Sequence, residues 1–259
     1  MWIKRYFTHL LSLFFPDRCL FCDEVIKHRG DGLCICDDCR KKQTFLEQVH
    51  TCAFCGCPLS SDDRLCNTCQ THTHFFDRAV SCMTYENEIR TAILKFKFYH
   101  RIDLYRPMAA FMYRRVLPLH KESPFDLVVC APQTKTSHVE RGYNQAHLLA
   151  KQLAKDLMLP YIKEAFLKIK ETPKQSTLSY RERMKNVEHA FKLNTPIPSL
   201  RGKRIILVDD VLTTGATADS LSKHLKRAGA KYVLILTMTT TEKDRLKKLT
   251  AEDIAEITF

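Results

Sequence analysis

Residues 205–217, Ile-Ile-Leu-Val-Asp-Asp-Val-Leu-Thr-Thr-Gly-Ala-Thr, set two adjacent carboxylates between an apolar run and a threonine–glycine loop. Ile205 to Val208 read as a strand buried on both faces, as in a parallel sheet. Asp209 and Asp210 then emerge at its carboxyl end, where open α/β sheets bind their ligands. The backbone N–H groups of Thr213, Thr214, Gly215, Ala216 and Thr217 fall at the start of a helix. That is a ready site for a phosphate dianion, and three threonine hydroxyls add donors. Two carboxylates beside a phosphate cradle repel that phosphate unless they take up hydroxyls or a divalent cation. A sugar phosphate with a vicinal diol meets every part of the pattern. The plainer alternative, a strand–turn–helix with capping acids, needs the apolar run, the acid pair and Thr-Thr-Gly-x-Thr to coincide by chance.

A second chemistry lies in the cysteines. Ten of the twelve fall between 19 and 69, and eight of those form the CxxC pairs Cys19/Cys22, Cys36/Cys39, Cys52/Cys55 and Cys66/Cys69, separated by 13, 12 and 10 residues. Two thiolates so spaced on a tight turn can point at one metal, and four close a tetrahedral zinc site. A redox CxxC normally stands alone at a helix start, so structural zinc is the preferred reading. Sequential pairing gives one site from residues 19, 22, 36 and 39 and another from 52, 55, 66 and 69. A cross-braced arrangement, or one ion with a vestigial pair, stays open. Cys34 and Cys57 sit beside ligands and can substitute for one of them. His72 and His74 read as surface residues unless a thiolate ligand is missing, and Cys82 and Cys130 as small buried hydrophobes.

The elements that must position these groups alternate strand and helix after the cysteines, the mark of βαβ units. Strands are expected over 79–85, 125–131, 163–169, 203–208 and 232–239, and helices over 88–98, 104–117, 143–158 and 217–228. The run Lys95-Phe96-Lys97-Phe98-Tyr99 mixes aromatics with charge as single-strand nucleic-acid surfaces do, but a packed amphipathic helix is preferred. Apolar residues at 3, 6, 7, 10, 11 and 14 repeat at helical spacing, and a helix packed on its own protein is preferred there over a membrane-surface anchor. The expected organisation is an N-terminal helix (1–16), a cysteine-rich zinc-binding module (17–77), an α/β domain (78–240) and a charged tail (241–259).

The 259 residues suffice for one sizeable α/β core and a smaller module, and 45% hydrophobic with 27% charged residues is the composition of a soluble globular chain. No segment reads as a secretory signal or a membrane span, so the expected location is the cytoplasm, with peripheral association at the inner face of the membrane as a secondary expectation. A formal charge of +12 suits a polyanionic partner such as nucleic acid or a pyrophosphate-bearing substrate.

The run 205–217 resembles the signature of type I phosphoribosyltransferases, which bind 5-phosphoribosyl-1-pyrophosphate. The resemblance implies an α/β fold, a mostly parallel sheet flanked by helices, with a small N-terminal four-cysteine zinc-binding module. It also implies that Asp209 and Asp210 hold the ribose hydroxyls and that Thr213–Thr217 hold the 5-phosphate. Arg141-Gly142-Tyr143-Asn144-Gln145 opening a helix, Gln175-Ser176-Thr177-Leu178-Ser179-Tyr180-Arg181-Glu182-Arg183, and the cysteine knuckles ahead of the α/β domain narrow it to the ComF competence-protein family. The loop after the strand ending at Ala131 holds pyrophosphate in the wider fold, which nominates Pro132 and Gln133. The Pro-x-Pro sequence common there in the family is Ala131-Pro132-Gln133 in this chain. Arg141 offers a guanidinium beside a helix N-terminus. The basic segment 168–185 resembles the loop that closes over substrate, with Arg181 and Arg183 facing the leaving pyrophosphate.

The chemistry implied is displacement at ribose C1, with magnesium neutralising the pyrophosphate. The family resemblance implies a competence protein that binds phosphoribosyl pyrophosphate and assists entry of transforming single-stranded DNA, working with a DNA-translocating helicase. An active phosphoribosyltransferase on an unidentified acceptor is the alternative. A zinc-dependent nucleic-acid adaptor without turnover is the third reading.

Overall fold

The computed structural model describes residues 16–26, 33–133, 139, 141–169 and 190–241. Two short helices, α1 (Asp37–Lys42) and α2 (Asn67–Thr71), lie in the cysteine-rich part. The remainder runs β1 (Arg78–Thr84), α3 (Asn87–Phe98), a 3-10 turn (Ile102–Leu104), α4 (Tyr105–Glu122), β2 (Leu127–Cys130), α5 (Gln145–Leu157), β3 (Tyr161–Ile162), β4 (Phe166–Lys168), β5 (Phe191–Leu193), β6 (Arg204–Leu212), α6 (Ala216–Arg227) and β7 (Tyr232–Thr240). The N-terminal helix and the charged tail expected from sequence lie outside the described residues.

Five strands form one sheet in the order β1-β7-β6-β2-β3, every pair parallel. From β2 the chain moves to β3 on one side, and from β6 it moves to β7 on the other. The crevice between β2 and β6 is therefore the point where strand order reverses. Central strands read as continuous apolar runs because helices cover both faces: Ile205, Ile206, Leu207 and Val208 are all buried, as are Val233 to Leu236. Each such side chain contributes about 1.5–3 kcal/mol relative to exposure.

Several boundaries differ from expectation. The strand carrying the acid pair does not end at Val208 but continues to Leu212, because β7 keeps pairing with it through Asp209↔Thr237, Val211↔Thr239 and Leu212↔Thr240. Helix α4 extends past Leu117 to Glu122 with Pro118 inside it. Helix α5 starts two residues later than expected, at Gln145, because Asn144 caps it by accepting from the N–H of His147 at 3.1 Å. The strand expected over 163–169 is only Phe166–Lys168. It joins a separate antiparallel ribbon with β5 rather than the main sheet, where Tyr161–Ile162 takes the place beside β2.

The cysteine-rich part docks on the open edge of β1 by backbone bonding. Phe45 bridges Met83, the N–H of Leu46 donates to Cys82 O at 3.0 Å, and that of Ala79 donates to Phe54 O at 2.7 Å. An otherwise unpaired sheet edge is thereby covered. The approach is close enough to require glycine at position 56. Its φ is +69°, and a β-carbon there would stand 2.7 Å from Ala79 O. Gly56→Ala is expected to lower stability by about 1–3 kcal/mol, read as a reduced urea midpoint, because the turn must abandon either its left-handed backbone or its seat on β1.

Candidate functional site

The cysteines resolve into two groups of four, Cys19/Cys22/Cys36/Cys39 and Cys52/Cys55/Cys66/Cys69, with the sulfurs in each all within 4.8 Å of one another. Of the arrangements left open by spacing, this is the sequential one. A zinc tetrahedron with bonds of about 2.3 Å has sulfur–sulfur edges of about 3.8 Å. Cys22–Cys36 and Cys55–Cys66 are each 3.7 Å apart, so the donor sets fit zinc. Backbone N–H groups support the sulfurs in the same way in both: Cys36 N donates to Cys19 Sγ and Cys66 N to Cys52 Sγ, each at 3.4 Å. Neither Cys34 nor Cys57 belongs to a group of four. Cys82 and Cys130 are buried in β1 and β2, as their sequence context suggests. His72 is exposed, but His74 is not a surface residue. Its ring is buried against Phe54 and Phe76, at centroid distances of 5.5 and 4.8 Å.

The acid pair lies at the reversal point. Strand β2 pairs with β6 only as far as Cys130↔Val208, so Asp209–Leu212 run on with one edge released into the crevice. Pro132 and Gln133 begin level with that edge, since Ala131 N still donates to Val208 O at 2.9 Å. Both side-chain amide atoms of Gln133 are buried without a hydrogen-bond partner among the described residues. Beyond Leu212 the chain turns through Thr213 and Thr214 into Gly215, whose φ of +81° makes it the N-cap of α6. The first N–H groups of that helix have no carbonyl one turn back to receive them. Thr214 Oγ1 lies 3.4 Å from Ala216 N.

A cation from outside the signature completes the site. Lys97 of α3 is buried, and its Nζ lies 3.1 Å from Asp210 Oδ2. The preferred reading of 95–99 as a packed helix holds, with Phe96 and Lys97 inside. Nothing in the sequence ties Lys97 to the acid pair beyond a lysine on the apolar side of an aromatic run. The Arg141–Gln145 segment supports the same helix end. Tyr143 OH donates to Phe96 O, Gln145 Nε2 donates to it at 3.5 Å, and Asn144 Nδ2 donates to Ala131 O at 3.2 Å. Arg141 is buried with its guanidinium 5.0 Å from the Phe98 ring and its Nη1 donating to Gln145 Oε1 at 3.4 Å. The structure thus sets Arg141 beneath α3. Asp209, Asp210, Pro132, Gln133, Lys97 and the loop 213–217 gather around one crevice. Arg181 and Arg183 lie outside the described residues.

Burial, and then the adjacent Asp210 carboxylate, push the Asp209 carboxyl up to about 7, while the N–H of Asp210, donating to Asp209 Oδ1 at 2.9 Å, works the other way.

Residues 140–256 match the phosphoribosyl transferase domain family, and residues 10–70 match the double zinc ribbon domain family. The chain is 30% identical over 203 residues to Competence protein ComFC of Bacillus subtilis, covering 75% of this chain and 79% of that protein. It belongs to the ComF family of competence proteins. It is also 29% identical over 225 residues to Competence protein F of Haemophilus influenzae, covering 86% of this chain and 96% of that protein. With DNA utilization protein YhgH of Escherichia coli K12 it shares 27% identity over 230 residues, covering 87% and 98%. The fold is that of a type I phosphoribosyltransferase domain with an N-terminal zinc ribbon, and the two four-cysteine groups support structural zinc. Among the described residues no helix is long and apolar enough to cross a membrane.

Two outcomes are expected. Elemental analysis of purified protein should give about two zinc ions per chain, and Cys22→Ser should reduce that to about one. For Asp209, a folded pKa raised above the ordinary 3.8 means the folded state holds its proton more tightly. The associated stability is present below about 4 and is lost as pH rises through about 7. Asp209→Asn should therefore raise Tm more at pH 8 than at pH 5; an equal gain at both would contradict the shift.

Proposed function

We propose that the crevice binds 5-phosphoribosyl-1-pyrophosphate and that the protein uses this binding while assisting the uptake of transforming single-stranded DNA. The observation that carries the ligand is the meeting of the Asp209–Asp210 pair with the Thr213–Thr217 helix start at the β2/β6 reversal point. Helix N–H groups and threonine hydroxyls suit the 5-phosphate. The acid pair suits the ribose diol, to which each carboxylate, once ionised, offers only acceptors. Pyrophosphate then extends toward Pro132, Gln133 and Lys97. The Gln133 amide supplies donors, and the Lys97 ammonium supplies charge within reach of both the acids and the phosphates. Magnesium, arriving with the pyrophosphate, would supply charge neutralisation. Arg141 enters this reading as the residue that seats Phe98 and so steadies α3. Arg181 and Arg183 remain proposed, by the family resemblance, for the leaving pyrophosphate.

The DNA half rests on a charge of +12 and on the relatives, whose names are those of competence and DNA-utilisation proteins. A DNA-translocating helicase is the proposed partner of that process, with peripheral association at the inner membrane face, on the same footing. Transfer of the ribosyl group to an acceptor is a separate claim from binding.

Calorimetric titration with phosphoribosyl pyrophosphate and magnesium, with and without single-stranded DNA, tests the whole. Saturable binding is expected, weakened at least about tenfold in Asp210→Asn and in Lys97→Met, since a hydrogen bond to a charged group contributes about 1.5–3 kcal/mol. DNA affinity should fall steeply as salt rises. Absence of heat with the wild-type protein would sink the ligand assignment. Release of pyrophosphate in the presence of a base panel would make the protein a transferase.

A further inference from the structure

The segment leaving the second cysteine group, residues 72–77, is fastened along one face of α6, the helix that begins at the candidate phosphate loop. Asp219, Lys223 and Lys226 stand one turn apart on that face. Asp219, buried in the first turn, accepts a hydrogen bond from the N–H of Phe75 and lies 3.6 Å from Nδ1 of His74. Lys223 sits over the Phe75 ring at 5.3 Å, and Lys226 pairs with Asp77 at 2.6 Å. Asp77 in turn accepts from Val233 N at 2.7 Å, fixing the segment to β7. At its other end the segment meets the metal group directly, with His74 Nε2 lying 3.8 Å from Cys69 Sγ. The rings of Phe54 (inside the Cys52/Cys55 knuckle), His74 and Phe76 form one cluster. A β-carbon on Gly215 would come only to 3.9 Å from Phe76, so the loop's pivot lies beside that cluster.

We propose that His74 and Asp219 are positioning residues through which the second four-cysteine group holds the Thr213–Thr217 loop in its binding conformation. The helix start is aimed by a metal-anchored segment packed against it from outside the sheet. Neither residue reaches the crevice, so both act on the ligand only through the loop. A zinc ion bound by Cys69 fixes the sulfur that His74 faces, and His74 fixes the distance from that sulfur to α6. Zinc is thereby part of the ligand site without contacting the ligand. The first four-cysteine group makes no such connection to α6 among the described residues.

The ligand half of this inference rests on the reading of 213–217 as a phosphate loop, whereas the coupling does not, so the two are measured separately. Hydrogen–deuterium exchange on the full zinc-loaded chain should show faster exchange across 213–220 in His74→Ala and Asp219→Ala, with β7 unchanged and zinc content still about two per chain. Ribose 5-phosphate affinity should fall about tenfold in both. His74→Gln, whose amide can still donate to the Cys69 sulfur, should recover most of it. Cys22→Ser, which disturbs only the first group, should leave exchange over 213–220 as in the wild type. If His74→Ala loses zinc or fails to fold, Asp219→Ala, outside the cysteine module, decides. Unchanged loop exchange in Asp219→Ala with zinc retained would overturn the proposal, as would equal loop exposure in Cys22→Ser. Failure of the wild-type protein to bind ribose 5-phosphate while the loop still loosens in the variants would sink the phosphate reading and leave the coupling standing.

Discussion

The site depends on a length mismatch between neighbouring strands. Strand β6 continues for four residues after β2 has left it at Cys130, held straight by β7 on its other side. Without β7 the acid pair would fall in a loop and its geometry would be free. With a longer β2 its edge would be sealed by ladder hydrogen bonds. The overhang gives Asp209 and Asp210 the rigidity of a strand on the β7 side while their other backbone edge is left unpaired by β2.

Two walls must then be kept in place, and each is braced by a different cysteine group. On the α3 side Asp23, beside the first knuckle, accepts from Arg101 at 2.9 and 3.0 Å and from Lys95 at 2.9 Å. The Arg101 guanidinium and then the Lys95 ammonium hold the Asp23 carboxyl down at about 2 despite some burial. That network holds the helix end that delivers Lys97. On the α6 side the exit from the second knuckle grips the helix that begins at the Thr213–Thr217 loop. A module of this size has too little core to be rigid alone, and four thiolates on a metal supply what apolar burial cannot. With the proposed coupling, the cysteine-rich part acts as structural support for the crevice.

The legible features were those written locally in the chain. The β6 run, the acid pair and Gly215 announce themselves within 13 residues. Likewise CxxC spacing is set by one turn, so the ligand set was readable while the pairing of the four turns was not. Strand ends were misjudged where a neighbour decides them: Val208 looked terminal because carboxylates follow it, yet β7 continues the ladder. Two-residue β3 is too short to carry a period, and β4, expected in the main sheet, pairs among the described residues only with β5. His74 looked like a surface residue because nothing near it in sequence names Asp219 or Phe54 as its neighbours.

Lys97 is the most informative of the unread residues. In sequence it is one of two lysines in an aromatic–basic run, which ordinarily means solvent or nucleic acid. In the fold Lys95 remains partly exposed and pairs with Asp23, while Lys97, two residues on, turns inward to Asp210. An ammonium is costly to bury, and a close carboxylate partner offsets only part of that cost. A merely structural position would be served better by a methionine of similar length. Retaining both charges at the mouth of the crevice makes sense if a ligand brings both hydroxyls and phosphates. The acid then meets donors and the ammonium meets an anion, and neither charge is left unmatched when their mutual contact loosens.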